Sequence, residues 1–182
     1  MRFSAEHRFS ASQGEVAAVL ADPDFYRSLE LPDLRLLEVR QLRAASASDV
    51  SPDGDASGET GLLVRYEFTG RLDPVAVRLL GGAQLTWSQE VHVRGEEGGW
   101  LTFAAEASPR LLHGRADFVL HPDPDGAGPA TSKVLRRLDG ELTVAIPVVG
   151  SMAERRIVSG ILTRLDVEAE SVRRWLSDPG RR

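Results

Sequence analysis

The chain has 182 residues, enough for one domain that buries about 70% of the surface its unfolded chain exposes. Its apolar content of 42% and charged content of 27% are typical of a globular protein and exclude global disorder and fibrous repeats. The net charge of −5 argues against a general nucleic-acid-binding protein, which needs a basic face. The absence of cysteine excludes disulfides, thiolate metal sites and cysteine nucleophiles.

The N-terminal residues contain no apolar stretch of signal-peptide length, and no window approaches about 18 consecutive apolar residues. We therefore expect a cytoplasmic protein without a membrane span. No repeat and no second core is visible in the pattern, so residues 1–176 are expected to form a single domain. Residues 177–182 are expected to form a polar tail.

The predicted elements begin with a strand at residues 3–9, where apolar and polar side chains alternate. Ser10 or Ser12 then caps a short helix that carries Glu15 in its first turn. Pro23 suits the first turn of a second short helix. Six strands of an antiparallel meander follow, at residues 34–42, 62–68, 85–93, 101–105, 114–120 and 134–146.

Four segments between the strands have the composition of connections. Ala47–Glu59 has little apolar surface, so we expect a mobile and dispensable loop. Pro74–Leu80 is an apolar segment that we expect near the mouth of any cavity. Residues 96–99 are expected to be a hairpin connection, and His121–Thr131 a turn region.

Residues 150–176 predict the longest helix, because apolar side chains recur at helical spacing along one broad stripe. At about 1.5 Å per residue this helix is about 40 Å long, enough to cross a whole sheet. The opposite face is polar and includes Thr163, Asp166 and Glu170. The stripe consists of Ile157, Val158, Ile161, Leu162, Leu165, Ala169, Val172 and Leu176.

An antiparallel sheet with one face to cover, followed by one long amphipathic helix, predicts an α+β fold. In this fold a curved sheet wraps around the C-terminal helix, with the two short helices after the first strand. The space between sheet and helix is then either a packed core or a ligand pocket.

Three stretches resemble the START, polyketide-cyclase and pollen-allergen-like superfamily, whose fold is called the helix grip. They are the opening strand with residues 16–23 (VAAVLADP), the run of six strands, and residues 146–154 (IPVVGSMAE) leading to Arg174-Trp175-Leu176. The last stretch is similar to an uncharacterised subfamily from high-GC bacteria. The resemblance implies a helix grip and the binding of lipids, sterols, polyketides, quinones or hormones. Only some members of the superfamily are enzymes, so the resemblance does not specify a reaction.

The polar residues do not form a recognisable catalytic or metal-binding motif. No two of the four histidines lie at i, i+3 or i, i+4 spacing, which favours ordinary hydrogen-bonded side chains over a metal site or a base. These histidines are His7, His92, His113 and His121. The carboxylates form no acid–base dyad, and no glycine pattern typical of phosphate binding precedes a helix. We therefore predict no catalytic residue, no metal and no cofactor.

Three polar residues do fall among apolar neighbours on the predicted strands: Tyr66, Gln89 and Arg136. A buried polar group needs a partner, so each is expected to bind another of the three, water, or the polar end of a ligand. The usual outcome for such groups is a protein or water partner.

Two function hypotheses follow. The first is the binding or carriage of a hydrophobic small molecule, lipid-, polyketide- or isoprenoid-like, between the sheet and the long helix. The alternative is an enzyme of the polyketide cyclase/aromatase or dehydratase kind, with Tyr66, His7 and Arg136 as its candidate groups. A structural module without a pocket is a third possibility. The sequence leaves the ligand and the oligomeric state open.

Strand parity and the helix stripe predict which side chains line the pocket, if the inner face encloses one. The predicted lining consists of Tyr66, Phe68, Trp87, Gln89, Phe103, Phe118, Leu142, Ile161 and Leu165.

Overall fold

The computed structural model describes residues 1–42, 59–70, 85–124, 133–145 and 150–178. The segment Pro74–Leu80 and the loop predicted at Ala47–Glu59, except for Glu59 itself, lie outside the described residues, as do residues 125–131 of the predicted turn. In chain order, the described elements are β1 (Arg2–Phe9), α1 (Gln13–Leu20), α2 (Pro23–Ser28), β2 (Leu34–Leu42), β3 (Glu59–Phe68), β4 (Thr86–Arg94), β5 (Gly98–Ala105), β6 (Leu112–Pro122), β7 (Val134–Val144) and α3 (Gly150–Ser177).

The strands form one seven-stranded sheet in the order β1-β7-β6-β5-β4-β3-β2. All pairings are antiparallel, and β2 to β7 each pair with their neighbours in sequence. The last strand, β7, also pairs with β1, so β1 forms one edge of the sheet. The predicted order of one strand, two short helices, a six-stranded meander and a long C-terminal helix is confirmed.

The two short helices begin where their caps predict. Ser12, rather than Ser10, caps α1: its hydroxyl accepts a hydrogen bond from the Glu15 amide at 3.2 Å, and the Glu15 carboxylate accepts one from the Ser12 amide at 2.9 Å. Asp22 caps α2 through the Asp24 amide at 2.7 Å, with Pro23 in the first turn. The caps satisfy amide groups that the helices leave without partners.

The connection between β4 and β5 is shorter than predicted. Gly98 belongs to β5 and pairs with Arg94, and Gly99 pairs with Val93. A Cβ atom at Gly99 would lie 1.8 Å from the carbonyl oxygen of His92, so the strands approach each other too closely for any side chain there. The glycines that suggested a turn are therefore strand residues at a close backbone approach.

The register places the strand residues of the predicted lining on one face of the sheet. Tyr66 pairs with Trp87, Gln89 pairs with Phe103, and Phe103 pairs with Gly114. Side chains of directly paired residues project from the same face. We call this face, which also carries Leu142 and Phe118, the inner face.

The long helix α3 crosses the inner face. Near its N-terminus the Glu154 carboxylate accepts a hydrogen bond from the Val144 amide of β7 at 3.0 Å. Near its C-terminus the Arg173 guanidinium donates to the carbonyl oxygen of Arg8 in β1 at 3.1 Å. The curved sheet thus wraps around α3, which confirms the predicted α+β helix grip. The core between them includes side chains without any solvent exposure: Val16, Phe25, Leu62, Val64, Leu142, Ala169 and Val172.

Candidate functional site

Burial is uneven across the inner face. Phe118, Leu138 and Leu142, which come from β6 and β7, are at most 4% exposed. Trp87 of β4 and Phe103 of β5 are only half-buried, although both pack against the same core. Apolar surface therefore stays partly accessible in one part of the inner face.

We name that part the open region: Trp87 of β4 and Leu101 and Phe103 of β5, all of them half-buried and packed against the core. Ile161 of α3, the helix that crosses the inner face, is likewise half-buried and packed against the core. It borders buried polar atoms, since Gln89 lies between Trp87 and Val91 on β4 and is 3% exposed. The region thus combines accessible apolar and aromatic surface with few polar groups, which is the composition of small-molecule sites.

The nine residues of the predicted lining separate into two groups. Five are buried: Tyr66, Gln89, Phe118, Leu142 and Leu165. Four are half-buried: Phe68, Trp87, Phe103 and Ile161. The structure brings Tyr66 and Trp87 together, with their ring centroids 6.0 Å apart. Phe68 follows Tyr66 by two residues and ends β3.

A buried polar cluster joins β1, β7 and α3. Arg136 of β7 is 2% exposed, and its Nη1 donates a hydrogen bond to Oε1 of Glu168 at 2.7 Å. Its Nη2 donates to Nδ1 of His7 at 3.1 Å. Glu168 on α3 is 4% exposed, so this ion pair is sealed from water by the sheet and the helix. The protein itself therefore supplies partners for Arg136.

The partner of His7 determines which ring nitrogen carries the proton. A guanidinium group can only donate, so Nδ1 accepts and the proton is assigned to Nε2. Nε2 then donates to Oδ1 of Asp166 at 3.1 Å. Burial, followed by the charge of Arg136, lowers the pKa of His7, against the opposing effect of Asp166. Both ring nitrogens are thus engaged in a neutral imidazole.

A second polar contact lies beside the open region. The guanidinium carbon of Arg164 on α3 lies 4.6 Å from the ring centroid of Tyr66, and its Nη2 donates to the Tyr66 hydroxyl at 3.4 Å. Burial raises the pKa of Tyr66, although the Arg164 charge opposes that rise, so the phenol is neutral near pH 7. The Nε atom of Arg164 is buried without a hydrogen-bond partner among the described residues.

Sequence reasoning identified Arg136, Tyr66 and His7 but missed their partners on α3. Glu168 was not assigned to either face, and Asp166 was assigned to the polar face. One signal was present for Glu168: position 168 falls within the stripe, three residues after Leu165 and four before Val172. A charged residue inside an apolar helical stripe requires a buried partner.

The described ranges hold no group of three or more His, Asp or Glu side chains arranged to bind a metal ion. Within the same ranges, none of the helices has the length and apolarity needed to cross a membrane. A surface depression of about 370 Å³ lies at β1, β7 and β6. It is lined by Arg2, Phe3, Arg115, Asp117, Asp139, Gly140 and Glu141, whose charges have both signs.

A sequence profile described as "Protein of unknown function (DUF2505)" matches residues 4–176. No curated protein matches the chain.

Solved structures share the fold at low sequence identity. The protein TTHA0849 from Thermus thermophilus has a TM-score of 0.56 at 12% identity, with 98% of this chain and 100% of that chain covered. A conserved protein from Geobacillus kaustophilus has 0.55 at 11%, covering 97% and 95%. The Zhui aromatase/cyclase from Streptomyces sp. R1128 has 0.54 at 12%, covering 94% and 90%. The resemblance drawn from the sequence is confirmed, and at these identities it concerns the fold.

Proposed function

The chain belongs to the DUF2505 family of proteins of unknown function, and we propose that it binds a hydrophobic small molecule between the sheet and α3. One observation carries the proposal: the apolar side chains of the open region are half-buried, whereas Phe118, Leu138 and Leu142 on the same face are buried. An apolar ligand that covers such surface gains about 25 cal/mol per Å² removed from water. Lipid-, polyketide- and isoprenoid-like molecules have the required surface.

The residues around the open region suit a binder. Trp87 and Phe103 offer aromatic surface from the sheet, and Ile161 offers aliphatic surface from α3. The adjacent polar side chains, Gln89 and the Tyr66–Arg164 pair, are few, and polar groups of this kind orient a ligand in an otherwise apolar site. The other members of the predicted lining belong to this proposal as the walls behind the open region.

The enzyme hypothesis, of the cyclase/aromatase or dehydratase kind, has less support. A general acid or base needs a proton-transfer atom that faces the substrate. Both ring nitrogens of His7 have protein partners, and Arg136 is paired with Glu168. Tyr66 keeps a neutral hydroxyl next to Arg164, which suits a hydrogen bond to a ligand without any reaction.

A neutral fluorescent probe tests the proposal. N-phenyl-1-naphthylamine is apolar and uncharged, so its uptake measures the apolar site alone. We expect its fluorescence to rise with the purified protein and the melting temperature to rise with probe concentration, since a ligand that binds the folded state stabilises it by mass action. Ile161→Trp, which fills the open region from the helix side, should weaken binding of the probe by about tenfold or more.

Thr163→Trp is the matched control, because Thr163 is exposed on the same helix, two residues further along. It should bind the probe as the parent protein does. Equal binding in the parent and Ile161→Trp would locate the probe elsewhere, and a parent that takes up no probe would overturn the proposal. The proposal includes a cytoplasmic location, so native mass spectrometry of the protein purified from the cytoplasm should reveal a co-purified apolar molecule.

A further inference from the structure

Arg164 is a cation with few partners. Its one hydrogen bond among the described residues is the 3.4 Å contact from Nη2 to the Tyr66 hydroxyl, and its Nε is buried without a partner. Within the described part of the chain, it belongs to no ion pair. A guanidinium group has five N–H donors, and donors buried without acceptors are costly. Among the described residues, the Tyr66 hydroxyl is therefore the one hydrogen-bond acceptor for the five N–H donors of Arg164.

Among the residues that the structure describes, no group near Arg164 neutralises its charge. Glu168, one helical turn later, is engaged with Arg136 at 2.7 Å. Tyr66 cannot serve as an anion, because its burial raises the pKa of the phenol. Asp166 bonds to His7, and its side chain is 76% exposed to water.

The charges of Arg136 and Arg164 are met differently. Arg136 is buried and paired with Glu168, whereas Arg164 is half-buried and pairs with no carboxylate among the described residues. The Nε of Arg136 also has no partner among the described residues. Among the described residues, the half-buried charge of Arg164 beside the open region thus has no carboxylate partner.

We propose that the ligand is an amphiphile with an apolar body and one anionic oxygen head, such as a carboxylate, that binds Arg164. This inference rests on the proposed function, because it places the apolar body against Trp87 and Ile161. Ile161 lies one turn before Arg164 on the same side of α3, and the Trp87 ring lies 6.0 Å from that of Tyr66. A carboxylate head supplies hydrogen-bond acceptors that the described residues do not offer and neutralises the charge of Arg164. A neutral apolar ligand would supply neither these acceptors nor a negative charge.

A pair of probes that differ only in the head group tests this inference. Dodecanoate and 1-dodecanol share one alkyl chain, and each displaces bound N-phenyl-1-naphthylamine in a competition titration at about pH 8. We expect the parent protein to bind dodecanoate at least about tenfold more tightly than the alcohol, since charge-assisted hydrogen bonds in an apolar site are the strong ones. Arg164→Met and Arg164→Gln should reduce that ratio towards one, and Arg164→Lys should keep part of it.

Arg174→Met is the matched control, because Arg174 is exposed in the last turn of the same helix, and it should keep the full preference. Circular dichroism checks that each variant folds; if Arg164→Met does not, Arg164→Gln decides. Equal affinity for acid and alcohol in the parent would overturn the anionic head while leaving the proposed function in place. An undiminished preference in both neutral variants would also overturn it. A parent that binds neither the alcohol nor the neutral probe would instead overturn the proposed function.

Discussion

Arg136 and Arg137 are neighbours in β7, and each pairs with a glutamate, yet they lie on opposite faces of the sheet. The inner pair, Arg136 with Glu168, spans 2.7 Å, and its side chains are 3% and 5% exposed. The outer pair, Arg137 with Glu6, spans 2.8 Å, and its side chains are 60% and 43% exposed. The chemistry and the distance are the same, so the two pairs differ in solvation. An exposed charge that loses its partner is solvated again, whereas a buried one is not.

The largest expected effect comes from removing the two arginines in turn. Arg136→Met leaves Glu168 buried without a partner, so we expect the free energy of unfolding to fall by about 3–5 kcal/mol. Arg137→Met removes an exposed pair and should lower it by less than about 1 kcal/mol. Urea denaturation of the two variants measures both values.

Removing both inner charges sharpens the result. The double variant Arg136→Met/Glu168→Leu no longer contains a buried unpaired carboxylate, so it should recover part of the stability lost in the single variant. Its recovery is incomplete because Nδ1 of His7 also loses its donor. If Arg136→Met and Arg137→Met lower the free energy of unfolding equally, burial does not make the inner ion pair more costly to disrupt than the outer one.

The pH dependence of the free energy of unfolding reports on His7, the histidine on the inner face. Burial lowers the pKa of His7 from its ordinary value of 6.5 in the folded state, with Arg136 acting in the same direction and Asp166 and Glu168 opposing. As the pH falls below 6.5, the unfolded chain binds a proton at His7 before the folded one does, so stability decreases until the folded pKa is reached. The titration of one group changes the free energy of unfolding by at most about 1.4 kcal/mol per pH unit. The carboxylates of Asp166 and Glu168 oppose the lowering of the His7 pKa and so reduce this slope.

His7→Gln removes the group that titrates, so its stability should fall less steeply than that of the parent protein between about pH 7 and the folded pKa. Denaturation midpoints measured across this range give the slopes. If His7→Gln and the parent protein have equal slopes, burial does not lower the pKa of His7 in the folded state.

The smallest expected effect concerns a partly exposed pair on the outer face. Arg65 donates two hydrogen bonds to the Glu106 carboxylate, one of them from Nη2 to Oε2 at 2.9 Å. Hydrogen bonding from Arg65 lowers the pKa of Glu106. The pair stabilises the fold above the ordinary pKa of a glutamate, and its contribution is lost as the pH falls through the lowered value. Glu106 is 25% exposed and Arg65 is 37% exposed, so water and salt screen the pair.

Glu106→Gln should therefore cost less than Arg136→Met, and its cost should shrink in about 1 M NaCl, where the Debye length is about 3 Å. The cost of Arg136→Met should change little with salt, because ions do not enter the buried cluster. Parallel denaturation curves at low and high salt measure the difference. A salt-dependent Arg136→Met would indicate that the inner pair is in contact with solvent.

Local patterns were sufficient for the elements and for most of the inner face. The alternation of residues 3–9 predicted β1, and the apolar stripe of residues 150–176 predicted α3 to within one residue of its end at Ser177. The same parity argument placed Phe103 and Trp87 on one face, as the register confirms. Parity could not show that Phe103 is half-buried while Leu142 is buried. It specifies the face of the sheet on which a side chain lies, whereas burial depends on which other elements pack against that face.

The order of helices and strands, and the face on which each strand residue lies, follow from periods of two or 3.6 residues within one segment, so the amino-acid pattern predicts them. The partners of the buried charges depend instead on how distant segments pack. Arg136 is separated from Glu168 by 32 residues and from His7 by 129, and no local pattern records which side chains such distant segments bring together. The path of α3 across the sheet also decided that Arg136 is neutralised while Arg164 lacks a carboxylate among the described residues, because burial and charge balance depend on all the elements that meet at one place.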